Sequence, residues 1–134
     1  MKITRAVALL AVVFWLSGST ALSQSKRVNV KFKPGTTSAT YTNSVTGYGT
    51  VDFVVQANAG QTMSVKLSSS NTSLYFNVSQ AGAPEALSDS ARTATEWTGQ
   101  LPETGKYVVR VYLFRNAART TKRPVRFSLK LDVN

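Results

Sequence analysis

Apolar and polar residues alternate with a period of two along most of the chain beyond residue 24, and this pattern constrains the fold more than any other feature. Because successive side chains of a strand point to opposite faces, each alternating run predicts a strand with one buried face and one solvated face. Six runs show the pattern clearly: Val28-Val30-Phe32, Val51-Phe53-Val55, Met63-Val65-Leu67, Leu74-Phe76-Val78, Tyr107-Val109-Val111-Leu113 and Phe127-Leu129-Leu131-Val133.

Two weaker segments, Thr37 to Val45 and Thr93 to Thr98, predict a seventh and an eighth strand. Turn-forming residues separate the runs, and no apolar pattern of period 3.6 and helical length lies between them. The sequence therefore predicts an all-β fold, an antiparallel β-sandwich of about eight strands in a single domain. Ser79 to Thr95 is predicted to form an extended loop.

Residues 1–23 have the layout of a secretory signal peptide. A basic start, Met1 to Arg5, precedes eleven apolar residues from Ala6 to Leu16, and Ala21-Leu22-Ser23 supplies small residues for cleavage before Gln24. Eleven apolar residues fall short of the roughly 20 that span a bilayer. The sequence therefore predicts export without stable membrane insertion, and a mature domain of residues 24–134.

Catalytic chemistry has few candidate residues here, because the chain contains no Cys and no His. The commonest general base, metal ligand and thiolate nucleophile are therefore missing. No two carboxylates are marked by their positions as an acid and base pair across a cleft. We therefore expect that the protein is not an enzyme and that it has no cofactor and no metal site. The six carboxylates of the mature chain are Asp52, Glu85, Asp89, Glu96, Glu103 and Asp132.

Positive charge is concentrated near the C-terminus. The chain has 16 Lys and Arg against 6 Asp and Glu, a net charge of +10 that falls to +8 when the leader with its two basic residues is removed. Loop residues at a connection can reach a partner, and guanidinium groups bind carboxylates or phosphates bidentately. The alternative is a solvated basic tip that only prevents edge pairing. Export argues against nucleic acid as the partner. From Lys106 onward the basic residues are Lys106, Arg110, Arg115, Arg119, Lys122, Arg123, Arg126 and Lys130, against the single acid Asp132.

Tyr48 is a large aromatic residue between two glycines in a predicted turn. It either anchors a partner from an exposed loop tip or packs over an open end of the sandwich. Tyr75 and Tyr112 lie at outward positions of their strands and fit either a structural or a binding role. The aromatic residues expected in or against the core are Phe53, Phe76, Trp97 and Phe127.

Several short motifs occur in order along the mature chain. They are Arg27-Val28-Asn29-Val30-Lys31-Phe32 with Gly35, Thr46-Gly47-Tyr48, Ala59-Gly60-Gln61, Leu101-Pro102-x-x-Gly105-Lys106-Tyr107, Arg110-Val111 and Arg115-Asn116-Ala117-Ala118-Arg119. Together they resemble the bacterial periplasmic inhibitors of goose-type (g-type) lysozyme. The Gly-Tyr turn and the two arginines of the last motif are the discriminating features, while Leu74 to Trp97 departs from the family pattern.

The resemblance implies a periplasmic β-sandwich that inserts a basic loop into the active-site cleft of a g-type lysozyme. It assigns lysozyme binding to Tyr48, Arg115 and Arg119, and we expect the protein to act as a monomer or weak homodimer. The alternative from the residues alone is a periplasmic binding module for an anionic polysaccharide or lipopolysaccharide, which needs only the basic surface.

Overall fold

Two four-stranded sheets pack face to face in the computed structural model, which describes residues 25–88 and 95–134. Sheet 1 has the strand order β1-β3-β7-β5, and sheet 2 has the order β2-β8-β4-β6. The predicted sandwich of about eight strands is confirmed, while the predicted leader, residues 1–23, lies outside the described residues. The elements are β1 (Ser25–Asn29), β2 (Ser38–Val45), β3 (Thr50–Ala57), β4 (Thr62–Ser68), β5 (Leu74–Gln80), β6 (Glu96–Gln100), β7 (Gly105–Leu113), α1 (Arg115–Thr120) and β8 (Val125–Val133).

The core lies between the sheets and is built from the apolar residues that alternate in the sequence. In β7 and β8, every second side chain is buried. Phe53 lies at the centre of the core, and its ring centroid is 5.6 Å from that of Tyr41 and 6.1 Å from that of Phe127. The prediction that Phe53, Phe76 and Phe127 are core residues is confirmed, and Trp97 packs against the core from a partly buried position.

The first strand departs from the purely antiparallel expectation, because β1 pairs with β3 in parallel. Between these two strands the chain crosses to sheet 2 to form β2, so it returns to sheet 1 in its original direction. β1 also ends at Asn29, before the predicted run ends at Phe32. The Val30 N–H still donates to the Val54 carbonyl oxygen at 2.8 Å, but the Lys31 N–H turns to the Tyr41 hydroxyl at 3.0 Å.

The segment predicted as an extended loop, Ser79 to Thr95, begins inside β5 and then folds back on that strand. The Leu87 N–H donates to the Val78 carbonyl oxygen at 2.7 Å, and the Val78 N–H donates to the Ser88 Oγ at 2.8 Å. Because β5 is an edge strand of sheet 1, these bonds cover backbone groups that another chain would otherwise pair with. Residues 89–94 of the predicted loop lie outside the described residues.

Gly99 in β6 provides a test of the packing at the edge of sheet 2. A Cβ built at Gly99 overlaps the Trp97 ring and lies 2.8 Å from its Cη2 atom. Gly99→Ala must therefore displace an indole that packs against the core, and we expect it to reduce the free energy of unfolding by about 1–3 kcal/mol. Urea unfolding measures this, with Gln100→Ala on the exposed side of the same strand as the control. An unchanged midpoint for Gly99→Ala would contradict the packing described.

Candidate functional site

Two segments far apart in sequence meet at one end of the sandwich. One is the turn between β2 and β3, which the Gly49 N–H closes by donating to the Thr46 carbonyl oxygen at 2.9 Å. The other is the connection between β7 and β8, residues 114–124, which contains α1. We call the exposed surface formed by Tyr48 and α1 the helix–turn surface.

The two segments meet at Gly47. Its φ of +55° is a conformation that glycine adopts without the strain other residues incur. A Cβ at this position would lie 3.6 Å from the carbonyl oxygen of Ala118 and 3.9 Å from that of Thr121. The turn therefore rests directly against the C-terminal part of α1, which sets Tyr48 beside the helix.

The connection contains a short helix, where the family resemblance implied a basic loop. The Ala118 N–H donates to the Phe114 carbonyl oxygen at 2.9 Å, and the Thr121 N–H donates to the Ala117 carbonyl oxygen at 2.8 Å. Ala118 is buried and anchors the helix to the core. Six residues are too few to reveal a 3.6-residue period in the sequence, although alanine and arginine are both strong helix formers.

Arg115 and Arg119 lie four residues apart on α1, a spacing that places two side chains on the same side of a helix. Both residues are exposed. Within the described ranges, 25–88 and 95–134, the ion pairs are Lys66–Glu96 and Arg110–Asp52, so neither helix arginine has a carboxylate partner there. Their guanidinium groups are therefore free to bind an external acid.

Among the basic residues from Lys106 onward, Arg110 differs from Arg115 and Arg119 because it already has a carboxylate partner within the protein. Its Nε and one terminal nitrogen donate to the two Asp52 oxygens at 2.7 and 2.9 Å, in a cross-strand pair on the outer face of sheet 1. These hydrogen bonds raise the pKa of Arg110 above its ordinary value, partial desolvation lowers it, and the charge of Asp52 adds to the rise. The positive charge of Arg110 is therefore neutralised by Asp52 within the same chain.

Tyr48 is 57% exposed, so the structure places it at the surface and not over the core. Two grooves of about 400 and 360 Å³ lie on the outer faces of the sheets, and neither is lined by Tyr48, Arg115 or Arg119. The three residues predicted as the site therefore share an exposed end of the molecule outside these grooves. Such a surface is suited to enter a concave partner.

Three aromatic rings beside this end were not identified as a cluster by the sequence. Tyr75 and Tyr112 face each other across β5 and β7 with ring centroids 6.3 Å apart, and Phe114 lies 5.8 Å from Tyr75. Outward parity marked the two tyrosines, but their proximity depends on strand order and register. Phe114, which follows Leu113 and interrupts the alternation, is 52% exposed.

Metal-ligating residues do not gather in the part of the chain that the structure describes, where no three Asp or Glu side chains are close enough to hold an ion. That part also contains no helix with the length and apolarity needed to cross a membrane.

Comparison with known proteins decides the family. No protein-family model matches the chain. The inhibitor of g-type lysozyme from Escherichia coli K12 is 32% identical over 122 residues, which cover 90% of this chain and 89% of that protein. The chain belongs to the g-type lysozyme inhibitor family.

Solved structures of this inhibitor family share the fold described above. PliG from Aeromonas hydrophila, a periplasmic inhibitor of g-type lysozyme, is 36% identical with a TM-score of 0.76, and the match covers 83% of this chain and 98% of PliG. PliG from Salmonella Typhimurium is 29% identical with a TM-score of 0.69, over 81% of this chain and 98% of that protein. The family resemblance predicted from the short motifs is confirmed.

Proposed function

We propose that this protein is a periplasmic inhibitor of g-type lysozyme that inserts the helix–turn surface into the substrate cleft of the enzyme. The observation that carries the proposal is the contact between Gly47 and α1, because it brings Tyr48 to the same end as Arg115 and Arg119. Family membership supports the partner, and the exposure of all three residues supports their role in binding.

The chemistry of the target explains why arginine suits this position. A lysozyme keeps at least one acidic side chain in its cleft to protonate the glycosidic oxygen. A guanidinium that enters the cleft forms charge-assisted hydrogen bonds with such a carboxylate. Arg115 and Arg119 have no ion pair to give up among the described residues, so binding does not require an internal contact to break. The protein acts by occupying the cleft and performs no reaction itself.

Tyr48 complements the two charges. Its ring offers a rigid apolar body with a polar end, and such residues are frequent hot spots in protein interfaces. Gly47 holds the turn against α1, so the tyrosine and the arginines enter the cleft as one preformed unit. Preformed surfaces lose little conformational entropy on binding, which favours tight inhibition.

A polyanion-binding module is the second candidate function, and the distribution of exposed cations favours testing it. Lys31, just beyond β1, and Lys130, on the outer face of β8, are both exposed and lie outside the helix–turn surface. Non-specific polyanion binding weakens with the loss of any of these cations and falls steeply with salt. Cleft binding depends on a few local contacts.

The experiment compares Lys31→Gln, Lys130→Gln and Arg119→Gln in a lysis assay with a g-type lysozyme. We expect the two lysine variants to inhibit like the wild type, and Arg119→Gln to inhibit much less, because only Arg119 enters the cleft. Binding of each variant to lipopolysaccharide at several salt concentrations is measured in parallel. Equal losses at all three positions would favour the polyanion function.

A further inference from the structure

An aromatic cluster on the outer face of sheet 1 has no role in the core. The Tyr75 ring lies between those of Phe114 and Tyr112, with centroid distances of 5.8 and 6.3 Å, and none of the three is among the residues that pack against the buried core cluster. We call these three residues the aromatic flank. Grouped and partly exposed aromatic rings on a soluble protein are typical of a binding surface.

The aromatic flank borders the helix–turn surface directly. Phe114 precedes Arg115, and its carbonyl oxygen accepts the Ala118 N–H inside α1. Tyr112 pairs in register with Thr50, two residues beyond Tyr48. The flank and the helix–turn surface are therefore continuous around one edge of the sandwich end.

Resting on the proposed function, we infer that the aromatic flank is a second part of the lysozyme interface and packs against one wall of the cleft. A stable interface buries about 800 Å² on each partner and involves about 20–30 residues per side. Tyr48, Arg115 and Arg119 alone are too few to form one. An element inserted into a cleft also meets walls on both of its sides, so surface next to α1 must take part.

The outer faces of the two sheets differ in composition at the inserted end, and this difference indicates that the aromatic flank is the side that contacts the cleft wall. At the same end, the outer face of sheet 2 carries hydroxyl groups and one charge, from Thr42, Ser44, Ser128 and Arg126. The outer face of sheet 1 carries the three rings. Aromatic residues are enriched in the energetically important centres of interfaces, whereas small polar residues are typical of the rim.

The charge next to the rings also favours their burial. Arg110, two residues before Tyr112 on the same face of β7, is paired with Asp52 through two hydrogen bonds. A partner that covers the rings therefore meets a neutralised pair beside them. Desolvation of the flank then avoids the cost of burying an isolated charge.

The test measures inhibition of a g-type lysozyme by the mature protein and by Phe114→Ala and Tyr75→Ser. We expect each variant to need at least about tenfold more protein for half inhibition, since exposed aromatic anchors are frequent hot spots. Leu87→Ala is the control, because Leu87 is an exposed apolar residue of the segment along β5 and is not part of the flank. Thermal melting establishes whether each variant is folded. If one of the two flank variants is unfolded, the other still provides the test.

The outcomes separate this inference from the proposed function. If the wild type does not inhibit, both are overturned. If Arg119→Ala loses inhibition while Phe114→Ala and Tyr75→Ser retain it, only the role of the flank is overturned. The role of the flank in lysozyme binding is also overturned if the flank variants retain inhibition but lose another property. Loss of self-association in sedimentation would assign the flank to contact with a second copy of the protein. Loss of retention on insoluble peptidoglycan would assign it to glycan binding.

Discussion

Arg119→Ala is expected to weaken inhibition of g-type lysozyme by about 30-fold or more and to leave the melting temperature unchanged. Truncating one partner of a buried charge pair costs about 2–5 kcal/mol, largely because the other charge is left buried and unpaired. Stability is retained because Arg119 is exposed and makes no ion pair among the described residues. Alanine also has the highest helix propensity, so α1 is preserved. Inhibition titrations and thermal melting measure the two effects.

A double-mutant cycle with Arg115→Ala extends this prediction. Both side chains lie on one side of α1 and are proposed to enter the same cleft, so their effects on inhibition are expected to be non-additive. Lys122→Ala is the matched control, because it removes an exposed charge from the same connection and is expected to cost much less. Full inhibition by folded Arg119→Ala and Tyr48→Ala would show that the helix–turn surface is not the binding site.

Phe53→Ala is expected to have the opposite profile, with a large loss of stability and little direct effect on the binding surface. Phe53 is fully buried between the Tyr41 and Phe127 rings at the centre of the core. Removing a buried phenyl ring forfeits its burial and leaves a cavity, which costs about 3–5 kcal/mol. Urea unfolding followed by tryptophan fluorescence measures the loss.

Phe114→Ala provides the matched comparison for this second prediction. It makes the same chemical change at a phenylalanine that is 52% exposed, so its cost in unfolding free energy is expected to be much smaller. Phe53→Ala itself is expected to inhibit like the wild type under conditions where it remains folded, because Phe53 does not reach the surface. A small stability loss for Phe53→Ala would contradict the core described here.

The strands were predictable because each one carries its own signal. Alternation in β7 and β8 reports one buried face directly, and the burial pattern of each strand matches it. In β3 the pattern holds except at Val54, an outward position that is also buried. The direction of β1 was not predictable in this way. Parallel pairing depends on the chain crossing to sheet 2 between β1 and β3, and no local pattern encodes that route.

The candidate site was predicted in its residues but not in its shape. Tyr48, Arg115 and Arg119 came from short motifs that resemble a family, while the helix that carries the arginines is too short to leave a period in the sequence. The contact between Gly47 and Ala118 joins positions about 70 residues apart and exists only in the folded chain. The aromatic flank likewise depends on the register of β5 against β7.

The most direct test of the central claim is a titration of a g-type lysozyme with the purified mature protein, followed by the clearing of a bacterial cell-wall suspension. If the helix–turn surface occupies the cleft, clearing falls toward zero as the protein reaches equimolar concentration with the enzyme, and Arg119→Ala shifts the titration to much higher concentration. Undiminished clearing in the presence of a large excess of folded wild-type protein would contradict the proposed function.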